Sequence, residues 1–229
     1  MKIVATHIYR FKIPMVPFTI ATGTMHYAQN ILIKIETNEG IIGYGECSAF
    51  PMIVGETQDS CYLLAKSFAS YWKGKNPLEI QERLKELDLM IAGNYTAKSA
   101  FDMALYDIAA KAVNKPLYAY LGGQQRIIES DLTIGIDSPQ KMAEQAIDFV
   151  NKGVNIIKVK LGKHPKEDVE RIKTIRDAIG DGIVLRIDAN QGWSKDDALQ
   201  VLTQLSKYNI EFCEQPMHKY YDDFLPALC

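Results

Sequence analysis

The chain has 229 residues, of which 47% are apolar and 24% charged, with 26 Lys and Arg against 28 Asp and Glu for a formal charge of -2. That apolar content can bury one large core or two modest ones, while the near-neutral charge and scattered basic residues exclude a nucleic-acid footprint. No apolar run approaches the roughly 20 residues of a membrane span, and the N-terminal stretch lacks a signal peptide's apolar region and cleavage site, so no membrane partner and a cytosolic (cytoplasmic) location are expected.

The four cysteines, Cys47, Cys61, Cys213 and Cys229, form no C-x-x-C pair and read as reduced thiols. Cys213, beside an acid in FCEQP, reads as a small buried filler on a strand.

In chain order, residues 3 to 13 alternate Ile3, Ala5, His7, Tyr9, Phe11 and Ile13 with Val4, Thr6, Ile8, Arg10 and Lys12, the period of a strand. Residues 14 to 29, punctuated by Gly and Pro, read as a mobile loop of the kind that carries specificity. Residues 31 to 37 and 41 to 46 are two strands joined through Asn38-Glu39-Gly40 as a hairpin. Asn76, Pro77 and Glu79 predict a capped helix start, with Ile80, Leu84, Leu87 and Ile91 on one face. A second helix carries Ala97, Ala100, Phe101, Ala104, Leu105, Ile108 and Ala109. Residues 1 to about 126 thus read as an α+β domain, a meander followed by helices.

From residue 127 the texture becomes a repeat. Strand-like 131–136, 155–161, 184–188 and 210–214 each precede a helix or the start of one, with caps at Ser138-Pro139 and at Ser194 with Asp197. Starts recur about every 26 residues, the βα unit of a parallel sheet with crossover helices. Eight such units would need a chain of roughly 340 residues, so half a barrel is expected here, and a truncated product with it. A complete open α/β domain of four strands is the alternative architecture.

Three motifs occupy corresponding places in successive units: Lys158-Val159-Lys160, Asp188 and Glu214. Residues two apart on a strand share a face, so the lysines point together. Strands about 4.8 Å apart let Lys160, Asp188 and Glu214 converge within roughly 10 Å at the carboxyl edge of the sheet, where barrel enzymes place their sites. Two carboxylates meeting in a partly desolvated cleft require a proton or a cation between them, and hard oxygen ligands suit Mg²⁺. A lysine beside a metal and a second ammonium should lose its proton more readily, which makes Lys160 the candidate base. Singly, each residue reads equally well as a strand edge, cap or surface acid; the set is what resists that reading. A barrel forming a Schiff base through Lys158 or Lys160 is a competing enzyme class, but it leaves both acids unexplained.

The pieces IIKVKLG, LRIDANQGW and FCEQP, with AKSAFDMALYDIAAKAVNKPLYAYLGG upstream, resemble the enolase superfamily in its muconate-lactonizing subgroup, and among these the dipeptide epimerases. The resemblance covers the whole chain. It implies an α/β protein with an α+β capping domain over residues 1–126 and, over 127–229, the first half of a modified (β/α)7β TIM-type barrel. It implies Mg²⁺ as cofactor with Asp188 and Glu214 as ligands, Lys160 as acid/base, and Lys158 as the partner that orients or tunes it. The shared chemistry would be abstraction of the proton α to a carboxylate through an ene-diolate. Dipeptide epimerisation is the expected outcome; muconate cycloisomerisation, o-succinylbenzoate synthesis and N-acylamino acid racemisation use the same apparatus.

Several substrate contacts follow as expectations. Thr133 is placed to meet a small-molecule substrate, a dipeptide or related carboxylate, although a strand threonine is also an ordinary β-former. The specificity loop reads Thr22-Gly23-Thr24, with no arginine between Arg10 and Arg83, whereas epimerases acting on Ala-Glu carry an arginine in that loop. Dipeptides with an uncharged or apolar second residue are therefore expected, with Gly23, Thr24, Phe18, Phe50, Met52 and Ile53 near them; the apolar members of this set serve equally well as packing in the cap. The family's third metal ligand, second lysine and paired aspartates would lie beyond Cys229, so little turnover, or an inactive remnant, is expected of this length of chain. Family members assemble, which makes a homo-oligomer compatible with the resemblance, but the sequence specifies no symmetry.

Overall fold

The opening strand β1 (Ile3–Ile20) and its partner β2 (Gly23–Thr37) are much longer than the alternation predicts, and β3 (Ile42–Ser48) completes a sheet in the order β1-β2-β3. Residues 14 to 29 are therefore the tip of a long hairpin, not an irregular loop. Pro14 and Pro17 hid this, but β1 is an edge strand, where a missing N–H costs no ladder bond. Thr19 and Thr24 hydroxyls meet at 2.9 Å across the tip. The expected alternation along β1 is also broken, since Ile3 and Ile8, on opposite parities, both join the core.

The remaining elements are α1 (Pro51–Val54), α2 (Gln58–Trp72), α3 (Ile80–Met90), α4 (Tyr95–Ala112), α5 (Leu117–Tyr120), β4 (Leu132–Ile134), α6 (Pro139–Asn151), β5 (Ile156–Lys160), α7 (Pro165–Ile179), β6 (Val184–Asp188), α8 (Lys195–Leu205) and β7 (Ile210–Glu214), with 3₁₀ turns at Ser206–Tyr208 and Lys219–Ala227. The computed structural model describes residues 1–228. They form two units: Met1–Met15 with Tyr27–Ile127, and Val16–His26 with the chain from Ile128 onward.

In the first unit β2 turns Ile31, Ile33 and Ile35 inward at 0–1% exposure, and α4 packs on β3. That approach depends on Gly43 and Gly45, where an added Cβ would strike the carbonyls of Ala104 and Ala100. Trp72 and Phe68 of α2 meet Phe101 of α4 edge to face, at 5.2 and 5.4 Å between ring centroids. The N-terminus of α4 is satisfied by Glu56, a buried carboxylate that accepts the Thr96 and Ala97 N–H groups at 2.9 and 3.1 Å and the Cys61 thiol at 3.5 Å. The predicted start of α3 is displaced. Asn76 Oδ1 accepts the Leu78 N–H at 3.2 Å, an Asx turn, and the helix begins at Ile80.

In the second unit β4-β5-β6-β7 lie in chain order and all pair in parallel. One face packs Ile157, Val159, Leu185 and Ile187 against Met142, Ala146, Ile172, Ile175 and Val201 of the crossover helices. Ser194 caps α8 as expected, accepting the Asp197 N–H at 3.1 Å and donating to its carboxylate at 2.6 Å. Arg176, near the end of α7, donates to four backbone carbonyls: Gly180 and Ile183 before β6, Tyr208 and Asn209 before β7, at 2.6–3.2 Å. Burial holds its pKa below the usual guanidinium value.

Candidate active site

The parallel register delivers the four charged residues of the sequence motifs to one place. Lys160 pairs with Asp188 across β5 and β6, and Asp188 with Glu214 across β6 and β7, so the three stand in a row at the carboxyl ends of adjacent strands. Val159, between the two lysines, is fully buried on the helix side, which leaves both lysines on the opposite face.

Asp188 is the centre of the cluster, with a side chain 1% exposed. Its Oδ2 accepts from Lys160 Nζ at 2.5 Å and lies 3.3 Å from Lys158 Nζ, while its Oδ1 accepts the Asn190 N–H at 2.8 Å. Lys158 also donates to Glu214, which is half exposed. Burial alone would lower the Lys158 pKa, but the hydrogen bond to Glu214 and the charges of Asp188 and Glu214 outweigh it and hold the ammonium above its ordinary value. Lys158 thus bridges two carboxylates that would otherwise repel each other.

The strand ends beside this cluster carry unusual backbone. Asn190, Gln191 and Gln215 have φ of 45°, 65° and 43°, in the left-handed region that non-glycine residues rarely occupy. Asn190 is 9% exposed, and its Oδ1 is buried without a hydrogen-bond partner. Asn190 lies within LRIDANQGW, but a turn-forming asparagine after a strand carries no sequence signal of a special role.

Of the other expected residues, Thr133 pairs with Lys158 across β4 and β5. Gly23 and Thr24 open β2 at the hairpin tip, in the same unit as the cluster. Phe18 lies against Gly135, beyond Thr133 on the same strand end. Phe50, Met52 and Ile53 belong to the first unit, where Phe50 precedes α1 and the other two are exposed on it. Cys213 is an inert thiol, pushed up to about 12 by burial and then by the charges of Asp188 and Glu214. It lines an apolar groove of about 400 Å³ between α8 and the final 3₁₀ turn, with Ile187 and Leu225. No helix among the described residues is long and apolar enough to cross a membrane.

An antiparallel sheet with helices, followed by parallel βα units whose carboxyl ends present lysines and acids in register, defines the class of α/β enzymes in which an α+β domain precedes a TIM-type barrel. Residues 3–122 match the mandelate racemase/muconate lactonizing enzyme N-terminal domain, and residues 141–228 match the enolase C-terminal domain-like family. The chain belongs to the mandelate racemase/muconate lactonizing enzyme family, within the enolase superfamily.

Among its relatives, a D-Ala-D/L-Ala epimerase of Cytophaga hutchinsonii is 46% identical over 93% of this chain and 58% of its own length. An N-succinyl-L-Arg/Lys racemase of Bacillus cereus is 38% identical over 95% of this chain and 60% of its own. A crystal structure of a dipeptide epimerase from Enterococcus faecalis, complexed with Mg and L-Leu-L-Tyr, superposes with a TM-score of 0.97 at 37% identity, over 100% of this chain and 65% of that one. The chain thus spans about three-fifths of the length of these proteins.

Proposed function

We propose that this chain carries the Mg²⁺-binding and proton-abstracting apparatus of a dipeptide epimerase, an isomerase acting α to a carboxylate. The observation that carries the reading is the in-register row of Lys160, Asp188 and Glu214, with Lys158 bridging the two acids. Asp188 and Glu214 set two hard carboxylate donors side by side at the strand ends, the donor type Mg²⁺ takes, and they would hold it. Bound there, Mg²⁺ supplies Lewis-acid stabilisation of developing carboxylate charge.

The roles of the side chains follow from their charges. Lys158, kept cationic by its two acids, is engaged in holding them, which leaves Lys160, on the same strand face and level with Asp188 at the strand end, as the proposed base. Removing the α-proton leaves an ene-diolate whose negative charge the Lys158 ammonium can face. Thr133, paired beside Lys158, is proposed to meet the substrate, with Gly23 and Thr24 contributing from the hairpin tip. Phe50 and Ile53 are proposed as apolar walls of the capping domain.

For the substrate class we favour dipeptides with an apolar or uncharged second residue. The stretch between Arg10 and Arg83 offers no arginine to an acidic side chain, and the Enterococcus relative was crystallised with L-Leu-L-Tyr. The second reading, racemisation of an N-succinylated amino acid, is favoured by the 38% identity to the Bacillus cereus enzyme.

The test is exchange of the substrate α-proton in D₂O with Mg²⁺, followed by NMR for Ala-Ala, Leu-Tyr, Ala-Glu and N-succinyl-lysine. Exchange that is fastest on the first two and abolished by Lys160→Met is expected. Preference for Ala-Glu would overturn the apolar specificity, and preference for N-succinyl-lysine would establish the second reading. Exchange unaffected by loss of Lys160 would remove the proposed base.

A further inference from the structure

Asp168, in the first turn of α7, is 0% exposed. A buried carboxylate needs several donors, and it has them. Oδ2 accepts the Gly162 N–H at 2.9 Å and the Trp193 indole N–H at 2.8 Å, and Oδ1 accepts from Arg171 Nη1 at 2.8 Å. Arg171 in turn donates from Nε to the Asp137 carbonyl at 2.9 Å. None of these bonds caps α7, so the carboxylate acts outward. It gathers two separate loops directly, Gly162 two residues after Lys160 and Trp193 five after Asp188, and through Arg171 it is linked to a third at Asp137, which follows β4.

The same loops form a seat for the hairpin tip. Gly162 and Gly192 pass so close that a Cβ on Gly192 would strike the Gly162 carbonyl. A Cβ added to Gly162 or Gly192 would lie 3.1 or 2.9 Å from the Ala21 methyl, so the two glycines make a flat surface on which that methyl rests. Next to it, the Thr19 carbonyl accepts the Ile136 N–H at 2.8 Å. The tip therefore lies against the loops that follow the strands of Thr133, Lys160 and Asp188.

We propose that Asp168 is a positioning residue: by drawing Gly162 and Trp193 to one carboxylate it builds the two-glycine seat for Ala21, and so fixes the Val16–His26 tip against the loops of the reacting edge. The consequence for substrate handling rests on the reaction proposed above. The coupling between Asp168 and the tip does not, so it is tested without turnover.

The Ile136 amide reports the coupling, because the Thr19 carbonyl is its acceptor. Its hydrogen exchange is to be followed by NMR in the parent chain and in Asp168→Asn, Trp193→Phe and Ala21→Leu. Asp168→Asn presents an NH₂ group to a donor whichever way it turns, Trp193→Phe removes one donor and keeps the ring, and Ala21→Leu overfills the seat while leaving the carboxylate untouched. Exchange at Ile136 about 10- to 100-fold faster in Asp168→Asn and Ala21→Leu, with a smaller rise in Trp193→Phe and unchanged protection in β5 and β6, is expected from local release of the tip. Parental exchange at Ile136 in a folded Asp168→Asn or in Trp193→Phe overturns the proposal. So does acceleration of Ile136 together with β5 and β6, which would make Asp168 a general stabiliser. If Asp168→Asn does not fold, Trp193→Phe and Ala21→Leu decide on the same criterion.

Discussion

Lys160 Nζ stands 2.5 Å from Asp188 Oδ2, between residues that are direct partners in the β5–β6 register. Asp188 therefore neutralises a lysine on its own level as well as Lys158 two residues below. Asp188→Asn should leave both ammoniums short of charge and lower stability by about 2–3 kcal/mol, somewhat less than a fully buried pair because both lysines keep some solvent contact. It should also weaken Mn²⁺ binding, read by electron paramagnetic resonance, by about ten-fold or more if Asp188 is a ligand. Unchanged Mn²⁺ affinity in a folded variant would remove Asp188 from the proposed metal site.

Asp102 of α4 has its pKa raised by burial, and its Oδ1 has no hydrogen-bond partner. Since the folded state holds that proton more tightly than the unfolded chain, stability is highest below the ordinary carboxylate pKa and declines as pH rises through the raised native one. Asp102→Asn, neutral at every pH, should melt higher than the parent at pH 7, with the gap closing in acid. A parent that gains nothing on the variant as pH falls would contradict the assignment.

Gly45 allows α4 to lie on β3. Gly45→Ala would place a methyl on the Ala100 carbonyl, backbone that cannot swing aside. A loss of about 3 kcal/mol or more is expected, read as a lower urea midpoint at unchanged slope.

Glu56 satisfies two N-terminal amides of α4 from outside that helix. Glu56→Ala should cost about 2 kcal/mol and Glu56→Gln, which keeps an acceptor, clearly less. Equal losses in the two variants would mean that one remaining acceptor is not enough, since Gln turns an NH₂ group toward either the Thr96 or the Ala97 N–H.

Much of the site was legible because it rests on periods the chain writes locally. The two-residue period puts Lys158 and Lys160 on one face, and the βα spacing puts Asp188 and Glu214 at matching strand ends. What escaped the reading depends on contacts between distant residues. Pro14 and Pro17 disguised the hairpin because a sequence does not say which strand is an edge. Glu167 and Asp168 look alike as acids in the first turns of a helix, yet Glu167 is exposed and Asp168 fully buried. The left-handed turns at Asn190, Gln191 and Gln215 have only Asn190 as a hint, since glutamine rarely adopts them. The assignment of Val16–His26 to the second unit is likewise a matter of packing, invisible to a scan for linkers.

Helix α7 is fastened at both ends of the sheet: Asp168 gathers the loops at the carboxyl edge, and Arg176 the carbonyls at the opposite edge. The two anchors are separated by a fixed stretch of helix, so inserting or deleting one residue between them would turn one by about 100° relative to the other and shift it by about 1.5 Å. No adjustment of side chains can restore both sets of bonds after such a change. This stretch should therefore tolerate substitution on its outer face but reject any change in length, and variants of this protein should differ here in letters and never in count.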